Sequence, residues 1–497
     1  MLPATASPPA AAPSTRERGF LLRLLAGPAL FILVLSLPLG LSYQGRVALA
    51  TFLCAVAWWV TQPVPWAIAS MLPFVVFPAA GVMNIGDTTQ LYGQPIFFWI
   101  MGTVLMGYAI EKHGLAHRFA LAFLALPGVG NKASRLLFTY MLMIGVMSTV
   151  VSDAAAVAMT IPIGMSIVRH LGAVLGAAER QKANFATFIT LGTMYASVAG
   201  GTATMIGVPH NGIVISLLDR LAGRQLGFFE WTAVGVPVFV LSILGFYMVL
   251  WNMARPEIED LPSGETFLRA ERAKLGALRP NERRVMLVFA VMILLFTLPS
   301  IVALVLGGSH PTVQAINRAL PIFAVPPAVM LLLFAVRSDS GGGLVTWKDA
   351  EKETPWNVML LIAGALAMTD ALTDFGFVEW VGGGVRSLGI SATVLPFFAA
   401  AVTALSTNFM SGAAAAALYS SIFIPAATEV GYNPASMGIL IANVAIGMVV
   451  PWAGATSATA YTGGAVTLER MIKIGIAATL VFVVVTSITH VLLAGFV

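Results

Sequence analysis

Apolar runs of about twenty residues, long enough to cross a bilayer's hydrocarbon core as helices, follow one another along almost all of this 497-residue chain. Hydrocarbon offers the backbone no hydrogen-bonding partner, so segments of this kind fold as helices. Hydrophobic residues make up 58% and charged residues 10%, and the mean hydropathy is +0.89. The fold class this predicts is an all-α polytopic membrane protein. Its 47 glycines suit that class, because small residues let membrane helices approach closely. Cys54 is the only cysteine, which excludes an intrachain disulfide.

About eleven transmembrane helices are expected, near 24–42, 47–61, 65–82, 94–122, 184–218, 230–253, 283–306, 319–336, 355–385, 434–464 and 470–495. Residues 1–19 read as a disordered Ala/Pro/Ser-rich tail. Arg16, Arg18 and Arg23 precede the first apolar run as they would in a signal peptide. That run is long and lacks a cleavage site, so a retained helix is expected. Residues 134–170 and 391–430 do not fit as single spans. Each is long enough to enter and leave one face of the membrane as a re-entrant hairpin.

Both hairpins carry one short pattern. Ser148 and Ser152, four apart, precede Asp153 and alanines 154–156; Thr407 and Ser411 precede Gly412 and alanines 413–417. Pro162 and Pro425 close the two segments. Weak symmetry between Gly/Pro-interrupted apolar segments of two halves points to the binding site of a secondary transporter. The halves are a first inverted repeat, 20–253, and a second, 283–497, joined by a charged cytoplasmic linker, 254–282. Smaller echoes agree: Pro95 leads into Gly107 and Gly114-Leu115, and Pro355 into Gly364 and Gly376-Phe377.

The positive-inside rule orients this map. With the N-terminus cytoplasmic, the inner loops collect Arg118, Lys132, Arg135, Arg169 and the basic residues of the linker, then Arg337, Lys348, Lys352, Arg470 and Lys473. The outer side keeps Arg46, Arg220, Arg224, Arg318 and Arg386. The two hairpins must then enter from opposite faces. Net charge of +5 fits cytoplasmic loops and gives no reason to expect nucleic acid. The setting implied is a bacterial inner membrane.

A hairpin tip exposes the start of a half-helix, where unpaired N–H groups and the helix dipole attract anions. Ser152 and Ser411 are placed to cap those starts. Carbonyls of unwound segments, with hydroxyl oxygens, suit a hard cation.

These residues resemble the divalent anion:sodium symporter family, whose members carry dicarboxylates, citrate or sulfate. The resemblance runs from about residue 20 to 495 and rests on four places: the two hairpin tips, where the family writes Ser-Asn-Thr, and two helix breaks. Gly200-Gly201-Thr202 through Gly207-Val208-Pro209-His210-Asn211 is similar to the family's Gly-Gly…Gly-Thr-Pro-Pro-Asn. Pro451-Trp452-Ala453-Gly454-Ala455-Thr456-Ser457 stands where the second half reads Pro-Val-Ala-Thr-Pro-Pro-Asn. The resemblance implies a homodimer with scaffold and mobile transport domains working as an elevator. It implies no cofactor beyond sodium as coupling ion. The broken helices would be 184–218 and 434–464. A first sodium site would use Ser148, Ser152, Asp153 and Gly207; a second would use Thr407, Ser411, Gly412 and Ala453. Substrate would meet Ser152, Asp153, Ala154, Pro209, His210, Asn211, Ser411, Gly412, Ala413, Gly454 and Ala455.

Departures from the family's pattern carry their own expectations. Asp153-Ala154 and Gly412-Ala413 replace Asn-Thr at the two tips, so both threonine hydroxyls are absent and the pocket should be less polar. A carboxylate inside a membrane costs about 2.5–3.5 kcal/mol on insertion scales and normally signals an ion or proton path. Asp153 is therefore expected to bind a coupling cation or proton, with simple helix capping as the other reading. Gly412 should weaken the second cation site. His210 is open to anion, proton or structural roles, and Trp452 is expected to pack in the bundle. Asp370 and the Glu111–Lys112 pair are expected to pair locally or face water. His113, His117, His170, His310 and His490 lack metal-ligand spacing and read as interfacial. No phosphate loop, nucleophile elbow or zinc motif appears, so the chain is not expected to be an enzyme or ATP-driven pump.

The function expected is secondary active transport of a small anion (dicarboxylate-like, sulfate or sulfonate), driven by sodium or protons across a lipid bilayer. A sodium-independent anion exchanger on the same fold is the alternative; a channel, or a carrier of neutral or cationic substrates, stands behind both.

Overall fold

The computed structural model describes residues 15–497 except 176–178, 262–263, 308–309, 340, 388 and 463–464. Most of the expected tail, residues 1–14, lies outside the described residues. Its last part is already helical, because the first helix begins at Thr15 and runs to Ser36. Among the described residues regular structure is helical, apart from two isolated bridges.

Among the described residues, seven helices are long and apolar enough to cross a membrane, including Phe228–Met253 and Pro280–Leu306. Other expected spans are built from pieces. Residues 65–82 form Trp66–Ala69 and Leu72–Ala80. Residues 94–122 form Pro95–Lys112 and Leu115–Leu124, and 355–385 form Trp356–Asp374 and Phe377–Ser387. These last two spans bend at Gly114 (φ 80°) and Gly376 (φ 82°), a left-handed conformation that glycine adopts without a Cβ clash. The sequence echo between the two stretches is thus an echo of backbone geometry.

Both motif segments fold as helix–tip–helix. The first hairpin is Ala133–Ser148 and Asp153–Leu175; the second is Val394–Ser406 and Gly412–Glu429. Each is followed by an interrupted helix. The first runs Glu179–Thr202, breaks over 203–210, and resumes as Asn211–Ala222. The second runs Pro434–Val444, breaks over 445–454 with a 3-10 turn at Pro451–Ala453, and resumes as Ala455–Thr462. Asn433 starts that helix firmly: its side-chain oxygen accepts from Ala435 N at 2.9 Å and Pro434 supplies the first helical residue.

Packing crosses between the halves. The second arm of the first hairpin lies against Ala455–Thr462, and the second arm of the second hairpin lies against Asn211–Ala222. Within the first half, a Cβ built on Gly200 would stand 2.1 Å from the Gly145 carbonyl, so hairpin and interrupted helix meet backbone to backbone. The first two helices, Thr15–Ser36 and Tyr43–Thr61, touch at Gly27 and the buried Cys54, where a Cβ on Gly27 would stand 2.9 Å from Sγ.

Several charged and imidazole side chains lie elsewhere than the sequence suggests. Asp370 pairs with Arg220, 150 residues away, tying Asn211–Ala222 to Trp356–Asp374. Lys112 leaves its neighbour Glu111 and bonds Asp349 at 2.7 Å. His490 is fully buried instead of interfacial: its ring lies between Ser436 Oγ at 3.1 Å and Asn443 Nδ2 at 3.2 Å. Helix Leu468–Leu493 turns that face toward Pro434–Val444, whose polar residues satisfy the ring.

Candidate functional site

The two tips and the two helix breaks meet around one cavity of about 390 Å³. Of the sequence-expected substrate residues, Asp153, Ala154, Pro209, His210, Ser411, Gly412, Ala413, Gly454 and Ala455 line it, and so does Ala453. Ser152 and Asn211 do not. Neither do Ser148, Gly207 and Thr407, which stand behind the wall.

Asp153 opens the second arm of the first hairpin. Its Oδ1 accepts from Ala154 N at 2.8 Å and its Oδ2 from Thr456 Oγ1 at 2.9 Å. The carboxylate therefore joins the first tip to the second break. Ser152, expected as the cap, contributes its carbonyl to Ala156 N at 2.9 Å. At the other tip the expectation holds, and Ser411 Oγ accepts from Ala414 N at 3.1 Å.

Behind the first tip lies a dense set of hydroxyls and carbonyls. Ser148 Oγ donates to Ser197 O at 2.8 Å, and Ser197 Oγ to Asp153 O at 2.7 Å. Thr204 Oγ1 donates to Thr149 O. Asn211 Nδ2 donates to Thr204 O at 3.1 Å, while its Oδ1 is buried without a hydrogen-bond partner. A buried amide oxygen left unsatisfied is costly. Beside an unwound backbone it is what a cation seeking oxygen ligands would use. Gly207 is at close quarters too, since a Cβ there would stand 2.6 Å from the Gly201 carbonyl.

The second tip is built differently. A Cβ at Gly412 would stand 2.1 Å from the Ala445 carbonyl and 3.5 Å from His210 Cε1, so this arrangement admits no side chain there. Thr407 Oγ1 donates to Ala404 O at 2.9 Å. Asn408, which sequence reasoning passed over, accepts from Val449 N at 3.0 Å and donates to Ala404 O at 2.9 Å. It pins the tip to the second break. Ser457 Oγ donates to Gly447 O at 2.7 Å in the same break. The signal available was position: Asn408 adjoins Thr407, and Thr456-Ser457 ends the fourth motif.

His210 is nearly buried and donates from Nε2 to Ala442 O at 3.2 Å, linking the two breaks. Trp452, expected to pack in the bundle, instead lines the cavity and is 65% exposed. It is carried by the 3-10 turn Pro451–Ala453 within the second helix break. Trp66, Phe409, Met410, Val358 and Ile446 complete an apolar wall, and among the described residues no Lys or Arg lines the cavity.

Hairpins and interrupted helices enclosing a cavity, within a set of apolar membrane-length helices, define the class: this is a multi-pass membrane transporter and not an enzyme. Residues 20–494 match the family described as the sodium:sulfate symporter transmembrane region, and the chain belongs to that family. It is similar to the sodium-dependent dicarboxylate transporter SdcS of Staphylococcus aureus (strain bovine RF122 / ET3-1), 27% identical over 469 residues, 92% of this chain and 88% of that one. SdcS of Staphylococcus saprophyticus is 26% identical over 474 residues, covering 94% and 90%. The fold is shared with MtrF of Neisseria gonorrhoeae, from a class of antimetabolite efflux pumps, at TM-score 0.54 and 13% identity over 83% of this chain and 84% of that one. The YdaH transporter of Alcanivorax borkumensis gives 0.51 and 15%, over 83% and 87%.

Proposed function

We propose that this protein is a secondary active transporter of a small anion (dicarboxylate-like, sulfate or sulfonate), coupled to sodium or protons at Asp153. The observation that carries the reading is the Asp153–Thr456 hydrogen bond at the wall of the shared cavity. It puts Asp153, the one acidic side chain among the described residues of that wall, beside an oxygen-rich cage containing the unsatisfied Asn211 Oδ1. The SdcS relatives, named as sodium-dependent, support sodium as the first choice of ion.

On this reading the hairpins and interrupted helices of two inverted repeats form one moving body, which travels elevator-fashion against the remaining helices in each protomer of a homodimer. The N-terminus is on the cytoplasmic side of the membrane in this reading. The bilayer is a bacterial inner membrane. One coupling ion is sufficient at the first tip, and Gly412 removes the side-chain ligand from the second. That same loss favours the sodium-independent exchanger as the second reading.

Proteoliposome uptake of labelled anions tests this under an imposed sodium gradient, an imposed proton gradient, and internal anion alone. Accumulation driven by sodium or protons, with altered cation dependence in Asp153→Asn, is expected. Uptake that needs only internal anion overturns symport in favour of exchange.

A further inference from the structure

We propose that Thr373 and Asp374 are a second station for the moving body, reached when Ser421 and Arg220 slide one helical turn along Trp356–Asp374 from their contacts with Thr369 and Asp370. This rests on the reading above, in which hairpins and interrupted helices move as one body, and it assigns one step of that motion. The sequence Thr369-Asp370-Ala371-Leu372-Thr373-Asp374 writes Thr-Asp twice, four residues apart. Four residues advance an α-helix by about 6 Å and return the side chain to nearly the same face.

Helix Trp356–Asp374 is held at two points by helices outside the moving body. A Cβ on Gly364 would run into the Ser70 carbonyl, and one on Gly45 would stand 2.9 Å from the Phe375 carbonyl. Toward the moving body the helix presents Thr369 and Asp370. Thr369 Oγ1 lies 2.9 Å from Ser421 Oγ on the second arm of the second hairpin, and both residues are buried. Ser421 donates its own proton to Ala417 O at 2.9 Å, so Thr369 is the donor in this pair. Asp370 pairs with Arg220 on Asn211–Ala222. The two partner helices pack against each other, so Ser421 and Arg220 travel together.

One turn further on, the same two side-chain types stand exposed and without these partners. Thr373 Oγ1 donates to Thr369 O at 2.9 Å within its own helix. Asp374 takes no ion pair among the described residues. It closes the helix, where the negative end of the dipole opposes a carboxylate. Asp370 lies one turn earlier and has Arg220 to compensate it; Asp374 has the charge and lacks the cation.

A path joins the two stations. Arg220, Asp370 and Asp374 line one open cavity of about 930 Å³, with Asp87 as the other charged side chain among its described residues. The guanidinium therefore passes between carboxylates in a polar space, and the carboxylate it leaves faces that space and not lipid. One-turn ratchets of one packed element past another are a known kind of two-state transition. Direction follows from the helix itself. Val358, in its first turn, lines the substrate cavity, and Asp374 is its last residue. A slide from Asp370 to Asp374 carries the tips away from the Val358 end.

The test uses the full-length protein in lipid nanodiscs and in proteoliposomes. Asp370→Asn weakens the first station. Its structure by electron cryomicroscopy is expected to show Arg220 against Asp374 and Ser421 against Thr373, about 6 Å along the helix. Asp374→Asn leaves the present contacts intact. It is expected to keep the wild-type melting temperature and to slow uptake of labelled succinate or sulfate at least tenfold, and Asp374→Glu is expected to recover the rate. Arg220 still beside residue 370 in Asp370→Asn, or moved to Asp87, overturns the station. So does wild-type uptake by Asp374→Asn, which carries the test even if Asp370→Asn fails to fold. A lowered melting temperature in Asp374→Asn overturns it too, because Asp374 would then hold the present state. A shifted structure with no uptake of either anion by the wild type supports the station and sinks only the anion-transport reading.

Discussion

Asp153 Oδ2 accepts a 2.9 Å hydrogen bond from Thr456 Oγ1, across 303 residues of sequence and between the first hairpin and the second helix break. Thr456 is 5% exposed, so the bond is sheltered from water although its acceptor reaches the cavity. Sheltered hydrogen bonds to a charged group are among the stronger ones, about 1.5–3 kcal/mol.

Thr456→Val keeps the volume and removes the donor. Side chains that orient an ion ligand typically change affinity about 10- to 100-fold when lost. Half-saturation for the coupling cation is expected to rise about tenfold, with the maximal uptake rate much less affected. An unchanged cation dependence would separate Asp153 from coupling.

Gly412→Ala forces a methyl group against the Ala445 carbonyl. Overpacking of this kind costs about 1–3 kcal/mol, because backbone on both sides must shift. A lowered melting temperature and slowed uptake are expected. Gly383→Ala is the control: it lies in helix Phe377–Ser387 with open space where the methyl would go. Equal effects of the two substitutions would rule out the close approach.

Arg220 and Asp370 connect helix Asn211–Ala222, in the proposed moving body, to Trp356–Asp374, in the proposed scaffold. Each side chain is 23% exposed. Asp370→Arg alone sets two cations face to face, and the exchange Arg220→Asp with Asp370→Arg restores opposite charges. The double variant is expected to recover most of the stability that the single loses, with a coupling energy of about 0.5–2 kcal/mol. Additive losses would mean that the pair holds nothing.

Asp349, in the short helix Trp347–Glu353, carries a pH prediction. Burial pushes its pKa up. Hydrogen bonds from Lys112, Thr346 and Tyr108 outweigh that and hold the carboxyl well below the usual carboxylate range. A carboxyl depressed in the folded state stabilises fully above its unfolded pKa of about 4 and loses that contribution as pH falls through its folded value. The melting-temperature gap between wild type and Asp349→Asn should therefore be constant from pH 5 to 8 and close on acidification below about 4. A gap that changes between pH 6 and 8 would assign it to another group.

The hairpins and helix breaks were legible because they violate the pattern around them: hydroxyls, glycines and prolines at fixed spacing inside apolar runs admit few backbones. The same reasoning brought nine expected substrate residues to one cavity wall. Partners were not legible. A threonine in a membrane helix looks alike whether it donates to its own turn, as Thr160 does to Ala156 O, or to a carboxylate 303 residues away, as Thr456 does. For the same reason Asp370 carried no sign of Arg220. His490 gave no hint of burial, since its partners Ser436 and Asn443 lie on a distant helix. Trp452 misled because an indole in an apolar run normally packs, and only the unwound turn beneath it presents it to the cavity.

Cys54, sealed between the first two helices at 4% exposure, leaves the accessible surface free of thiols. A maleimide added to the native protein should find nothing to modify, so any cysteine introduced by mutation becomes a solitary handle. Pairs of such handles, one on each hairpin tip and one on a fixed helix, turn the protein into its own ruler. Spin labels or fluorophores there would report how far the tips travel in a single transport cycle without first stripping the chain of its natural residue.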